Sequence, residues 1–198
     1  MSYGHPLGWK AVKTRTVAAG EDPASIQAGD ISVTGLRVDL MPVAFSQHLG
    51  DLGQGAGRAA QKLGLRVLAV TRSGKAEAPA EKAYPVAQID DALPLADFLI
   101  LTAPATAATQ GLLDKKRLDL LKPECGIINI GRAALMDYPA LREKLERGEL
   151  AGAVLDVFDE EPLPPNSPWW TTRNVIVTPH ISCDSPAYID ALLDRWFD

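Results

Sequence analysis

The stretch HLGDLGQGAGRAAQKLGLRVLAVT, residues 48–71, decides the fold. It reads as a glycine-rich turn over His48-Leu49-Gly50-Asp51-Leu52-Gly53, a helix over Leu52–Leu63 and an apolar strand over Val67–Thr71. Glycines in such a turn let the backbone approach a pyrophosphate, which then rests on the helix N-terminus. Gly50, Gly53, Gly55 and Gly57 would equally serve a tight turn and close helix packing, so the glycines alone are weak evidence. The context of strand, turn, helix and strand carries more. Two features depart from G-x-G-x-x-G: His48 stands at the first glycine, and Ser46-Gln47 is polar where the first strand should be buried. His48 reads as a solvent-facing turn residue rather than a ligand.

Outward from this unit, apolar runs of strand length recur at Phe98–Thr102, Gly126–Asn129, Ala151–Leu155 and Val175–Val177. Helix-length stretches lie between or after them, at Ile89–Leu95, Lys115–Leu121, Tyr138–Arg147 and Pro186–Phe197. Strands alternating with helices imply an α/β fold, a Rossmann-like doubly wound parallel sheet in a single domain. Helix Tyr138–Arg147 carries full boundary chemistry: Asp137 at the N-cap, Pro139 in the first turn and Gly148 after a basic end. Residues 1–35 show no sustained period and read as an irregular arm, or the remnant of another domain, ahead of a domain over 36–198.

Composition narrows the function classes. The 198 residues include 46% hydrophobic and 23% charged, ordinary values for a globular chain that exclude collagen-like, disordered and coiled-coil readings. A net charge of −5 without a basic cluster argues against nucleic acid or an anionic membrane surface as partner. No apolar run reaches the roughly 20 residues of a membrane span, and MSYGHPLGWK lacks a signal-peptide core. Cys125 and Cys183 make neither a disulfide framework nor a metal set. The expectation is a reduced, soluble, cytoplasmic protein with no metal.

Candidate chemistry gathers at the strand ends, where open α/β sheets bind ligands. Past the first helix, where an acid would meet ribose hydroxyls, the chain reads Thr71-Arg72-Ser73. Arg72 and Ser73 suit a 2′-phosphate, which leans toward NADP over NAD; an exposed strand-end arginine is the equal alternative. Asn129-Ile130-Gly131-Arg132, Leu155-Asp156-Val157-Phe158-Asp159-Glu160-Glu161-Pro162 and Thr178-Pro179-His180 each follow a strand. Together they offer a fixed cation, a carboxylate and an imidazole. Hydride transfer to a 2-keto acid needs that set. The arginine grips the substrate carboxylate bidentately, and the histidine exchanges the hydroxyl proton while a glutamate stabilises its protonated form. Singly, Arg132 serves as well for a helix cap, Glu161 for a solvated acid and His180 for a satisfied loop histidine. Their order and placement favour function.

With these segments in view, residues from about Gly50 to Phe197 resemble the NAD(P)-binding domain of the D-isomer-specific 2-hydroxyacid dehydrogenases. The resemblance runs through LGDLGQGAGRAAQKLGLRVLAVTRSG, LILTAPATAATQGLLDKKRLDLLKPECGIINIGRAALMD, LERGELAGAVLDVFDEEPLP and SPWWTTRNVIVTPHIS. It implies Arg132 as the substrate-binding arginine, Glu161, directly before the proline, as the partner carboxylate, and His180 as the acid/base. It implies a cofactor site of Gly50, Asp51, Leu52, Gly53, Thr71, Arg72, Ser73, Thr102, Ala103, Pro104, Ile130, Gly131, Arg132, Asp156 and His180. Within it, Asp156 is expected to meet the nicotinamide carboxamide. A small 2-keto or 2-hydroxy acid is the implied substrate. A homodimer is the implied assembly, with Trp169, Trp170 and Trp196 as candidate contact area.

The resemblance fails at the front. Family members carry a substrate domain, built mostly from their first ~100 residues, that this chain does not match, so most of the substrate cleft is expected to be missing. A Gly35-Leu36-Arg37-Val38 strand start is followed by Asp39–Gln47, several residues too many, and Pro42 favours an edge or a break over a central strand. Two readings stand: a 2-keto acid reductase with its triad intact, and a dinucleotide-binding module without catalysis, whether truncated, a sensor or a scaffold.

Overall fold

The structure, a computed structural model, describes residues 39–43, 47–75 and 80–182. Seven strands form one parallel sheet: β1 (Asp39–Val43), β2 (Arg66–Thr71), β3 (Lys82–Pro85), β4 (Phe98–Leu101), β5 (Gly126–Asn129), β6 (Gly152–Leu155) and β7 (Val175–Val177). Their spatial order is β3-β2-β1-β4-β5-β6-β7. The order reverses between β1 and β4, the switch point at which such sheets open a crevice for ligands. Among the described residues, four α-helices connect them: α1 (Gln47–Lys62), α2 (Ile89–Ala92), α3 (Lys115–Leu118) and α4 (Tyr138–Arg147). The expected arm over residues 1–35, the Gly35–Val38 start and the helix Pro186–Phe197 lie outside the described residues.

Alternation along the strands supplies a core on each face of the sheet. Leu68, Val70, Leu99, Leu101, Ile127 and Leu155 point one way and pack with Ile89, Leu118, Leu141 and Leu145 from α2, α3 and α4. Val67 and Ile100 point the other way and meet Ala56 and Ala60 of α1. Parallel sheets need cover on both faces, which is why these strands are continuously apolar rather than alternating with polar residues. Helix α4 keeps the expected bounds because its ends are chemically fixed. Asp137 accepts the Ala140 N–H at 2.9 Å, and Gly148 takes the left-handed conformation that closes the C-terminus.

Several expectations are corrected. Helix α1 begins at Gln47, not Leu52, so Gly50, Asp51, Leu52 and Gly53 belong to its first turns rather than to a preceding turn. Pro42 lies in the central strand, not at an edge or a break. The missing N–H has a visible consequence: β1 registers with β4 at each residue from Leu40 to Val43, but with β2 only at Asp39, Leu40 and Val43. Strand β3 was not expected; it is short, pairs on one side only and buries little besides Tyr84. The stretch Ile89–Leu95 is not one helix, because Pro94 turns its second half into a separate 3-10 turn. Helix α3 stops at Leu118, after which Leu120 and Leu121 donate to carbonyls three residues back.

These placements make a direct stability contrast. Leu99 is fully buried, so Leu99→Ala should lower the unfolding free energy by about 2–5 kcal/mol in urea titration. Leu63 is 70% exposed, and Leu63→Ala should stay within about 0.5 kcal/mol of the wild type. Equal effects would contradict this assignment of the core.

Candidate active site

Because all strands run the same way, the segments after β2, β4, β5, β6 and β7 emerge on one edge of the sheet. Beyond β1, helix α1 starts at Gln47 and so brings its N-terminal end to that edge beside the switch point. The 16-residue helix brings the positive end of its dipole there, a setting suited to a phosphate. Gly50, Asp51, Leu52 and Gly53 lie in this end of the helix.

After β2, the Thr71 hydroxyl donates to Lys75 O at 2.9 Å, and the Lys75 N–H donates to Ser73 Oγ at 3.3 Å. The turn closes at Gly74, which has φ of +70°, and a Cβ there would meet Pro85 at 3.0 Å. Arg72 and Ser73 are exposed on this turn, and residues 71–75 include no acid.

After β4, Thr102 and Ala103 are fully buried, and Pro104 is half-buried. They abut the loop after β5 so closely that a Cβ on Gly131 would lie 2.7 Å from Ala103 O. Only glycine allows that approach. Ile130 is half-buried and Arg132 exposed. Arg132 bonds within its own loop, Nη1 donating to Gly131 O at 2.6 Å. The loop is shaped by Asn129, whose Oδ1 accepts the Gly131 N–H at 3.1 Å and whose Nδ2 donates to Arg132 O at 3.2 Å.

After β6 and β7, two loops are tied together by a carboxylate. Asp156, only 1% exposed, accepts the Thr178 hydroxyl and the N–H groups of Ile181 and Ser182, the latter two at 3.0 Å each. These bonds bracket His180, which has φ of 55°. A left-handed non-glycine residue costs of order 1–3 kcal/mol and persists only where its surroundings fix it. Asp156 therefore acts on the histidine loop, a role the expected carboxamide contact did not include. Burial works against its charge, but hydrogen bonds from Thr178, Ser182 and Ile181 outweigh that and hold the carboxyl below the usual carboxylate range.

Of the three consecutive acids, Glu161 is the one that meets the imidazole. Its Oε2 lies 2.8 Å from His180 Nδ1, and its Oε1 accepts the Phe158 N–H at 2.8 Å. Asp159 and Glu160 are exposed. With Nδ1 committed to the glutamate, the His180 Nε2 is the nitrogen left to serve a reacting atom. Among the described residues, this pair is the one direct contact within the expected triad, and Arg132 stands on the neighbouring strand's loop.

Sequence reasoning missed the polar residues that hold these loops: Asn129, Thr178 and Tyr138. Asn129 and Thr178 stood inside the quoted segments, and their position directly at or after a strand end was the available signal. Trp169 and Trp170, expected as intersubunit area, are engaged within the chain. Trp169 packs its ring 5.3 Å from that of Tyr138, and Trp170 Nε1 donates to Pro164 O at 2.7 Å. Cys125 is buried with its thiol pushed up to about 12, which removes it as a nucleophile. Among the described residues, no group of three His, Cys, Asp or Glu is placed to hold a metal, and no helix is long and apolar enough to cross a membrane.

Asp156 gives the site a pH signature. A carboxyl held low when folded and ordinary when unfolded contributes fully above the ordinary range, about pH 4, and loses that contribution as pH falls through its folded value. Asp156→Asn should destabilise by about 2 kcal/mol at neutral pH, with the gap to wild type in thermal melts narrowing below about pH 4. A gap that stays constant on acidification would contradict the role.

Comparison with known proteins places this geometry. The model for the D-isomer specific 2-hydroxyacid dehydrogenase, NAD binding domain, matches residues 48–182. The glyoxylate reductase of Thermococcus kodakarensis is 38% identical over 132 residues, covering 67% of this chain and 39% of that protein. Glyoxylate/hydroxypyruvate reductase B of Pectobacterium carotovorum is 40% identical over 139 residues, covering 67% and 43%. Among solved structures, a D-isomer specific 2-hydroxyacid dehydrogenase family protein from Aeromonas salmonicida aligns with a TM-score of 0.72 at 31% identity, covering 83% of this chain and 51% of that one. An NADPH-dependent glyoxylate/hydroxypyruvate reductase from Sinorhizobium meliloti, in complex with NADP and sulfate, aligns with a TM-score of 0.69 at 30% identity, covering 85% and 55%. The chain thus spans about two fifths of the curated relatives' length. Since the matched region takes in the parallel sheet from α1 onward and the Arg132, Glu161 and His180 segments, the chain belongs to the D-isomer specific 2-hydroxyacid dehydrogenase family and contains that family's NAD binding domain.

Proposed function

We propose that this chain carries the cofactor-binding and proton-transferring part of an NADPH-dependent reductase of small 2-keto acids, with glyoxylate and hydroxypyruvate as the first substrates to test. The observation that carries the reading is the Glu161–His180 pair, closed at 2.8 Å and anchored on the Phe158 N–H. A solvated acid would have no reason to be held at both oxygens. The residues also fit a dinucleotide: the N-terminus of α1 lies at the switch point, and the acid-free turn after β2 carries the exposed Arg72 and Ser73, residue types suited to a 2′-phosphate.

A reduced nicotinamide cofactor, held by the α1 N-terminus and the turn after β2, would supply the hydride. The protein's part is binding, orientation and the proton. Arg132 holds the substrate carboxylate and draws electron density from the adjacent carbonyl. His180 donates the Nε2 proton to the carbonyl oxygen, which becomes the hydroxyl. Glu161 holds Nδ1 and keeps the ring from turning away. In the reverse direction the same nitrogen accepts the hydroxyl proton. A second reading is cofactor binding without turnover, since the family match, residues 48–182, is to the NAD binding domain.

Titration with each cofactor, followed by mixing with glyoxylate or hydroxypyruvate, separates these readings. NADPH should bind more tightly than NADH, and Arg72→Ala should weaken NADPH by about 10- to 100-fold while leaving NADH unchanged. His180→Asn should lower turnover by about 100-fold or more with cofactor affinity intact. Binding without turnover at high protein concentration selects the second reading. Failure to bind either cofactor defeats both.

A further inference from the structure

Tyr138, the first residue of α4, lies between the two halves of the site. It is 5% exposed, and its single hydroxyl proton goes to Val157 O at 2.6 Å. The same oxygen accepts from Asn129 Nδ2 at 3.2 Å. Asn129 is fully buried and spends its second N–H on Arg132 O and its carbonyl on the Gly131 N–H. On the other side, Val157 stands between Asp156, which ties down the His180 loop, and Phe158, whose N–H holds Glu161. Beside the backbone bond from the Asp156 N–H to Asn129 O at 3.0 Å, this hydroxyl is a side-chain link between the Asn129 network and the Val157 segment. The ring is fixed independently, stacked at 6.0 Å on Phe158 and edge-on at 5.3 Å to Trp169. Burial pushes the phenol's pKa up, so it stays protonated and able to donate across the working pH range.

We propose that Tyr138 is a positioning residue whose hydroxyl couples the Arg132 loop to the Val157–Glu161 segment and so sets the guanidinium against the Glu161–His180 pair. Its catalytic consequence rests on the reductase reading above, whereas the coupling itself does not. A hydrogen bond between two buried partners resists local opening at both ends. Removing the hydroxyl leaves an Asn129 N–H and the Val157 carbonyl without that partner, which is costly in a site closed to water.

The experiment is native-state amide hydrogen exchange at Gly131 and Phe158, whose N–H groups donate to Asn129 Oδ1 and Glu161 Oε1. Tyr138→Phe keeps the ring and should accelerate both amides by about tenfold relative to core amides such as Leu101. Leu141→Ala, a cavity on the same helix remote from the hydroxyl, should accelerate all of them together. If Tyr138→Phe does not fold, Asn129→Ala cuts the link from the other end and should still accelerate Phe158. A Phe158 amide that keeps its wild-type rate relative to the core in the folded variant overturns the coupling. Where the wild type turns over, Tyr138→Phe should lower kcat by about tenfold and leave the KM for NADPH unchanged. A lower melting temperature with unchanged kcat would reduce Tyr138 to a stability role. A wild type that does not turn over defeats the reductase reading and leaves the exchange result to decide the coupling.

Discussion

A parallel sheet ends all its strands on one edge, and backbone groups leaving the ladder there still need partners. Burial makes the need acute, since an unpaired buried polar group costs about 1–3 kcal/mol. In this protein backbone bonds between neighbouring strand ends meet part of that need, and side chains at the strand ends and in the loops meet the rest. Thr71 closes the turn after β2, and Thr109 accepts the Thr106 N–H and donates to Pro104 O in the loop after β4. Asn129 organises the loop after β5, and Asp156 joins the loops after β6 and β7. Four of the buried polar residues, Thr102, Thr109, Asn129 and Asp156, lie on this one edge. The requirement that gives the fold its polar rim thereby also prepares a rigid platform for chemistry.

The platform explains how an exposed residue can be held without being buried. His180 and Glu161 keep 37% and 33% of their side-chain surface accessible, as groups that meet a substrate must. Their positions come from neighbours that are closed to water: Asp156 below the histidine loop and the Phe158 amide behind the glutamate. Arg132 follows the same pattern, with Asn129 and the glycine beside it setting the backbone from which it extends. An exposed ion pair alone would contribute little stability. Here the buried hydrogen bonds fix geometry, and the accessible charges are left for binding.

How much of this was legible varies element by element. Strand β5 and helix α4 were readable to the residue because apolar runs and cap chemistry are local. The start of α1 was not, because glycines suggested a turn where the backbone continues as helix. Pro42 misled for a similar reason: proline removes one donor, yet β1 keeps its place through the unbroken register with β4. Strand β3 carried too little apolar signal to stand out from its surroundings. In the site, the residue types at the strand ends were visible, but Tyr138 entered only as the first residue of helix α4, with nothing local to mark a role for its hydroxyl.

The sequence by itself determined the alternation of strands and helices, the caps of α4 and the presence of an arginine, acids and a histidine after successive strands. These follow from local periodicity and from residue chemistry at fixed spacing. The tertiary structure closes the expected Glu161–His180 pair across 19 residues, and it alone decided that Asp156 turns inward to hold the histidine loop and that Tyr138 bridges the loops after β5 and β6. Each of those pairings joins residues from different strand ends. Their distance is set by the order β5-β6-β7 in the sheet, which no local stretch of chain specifies.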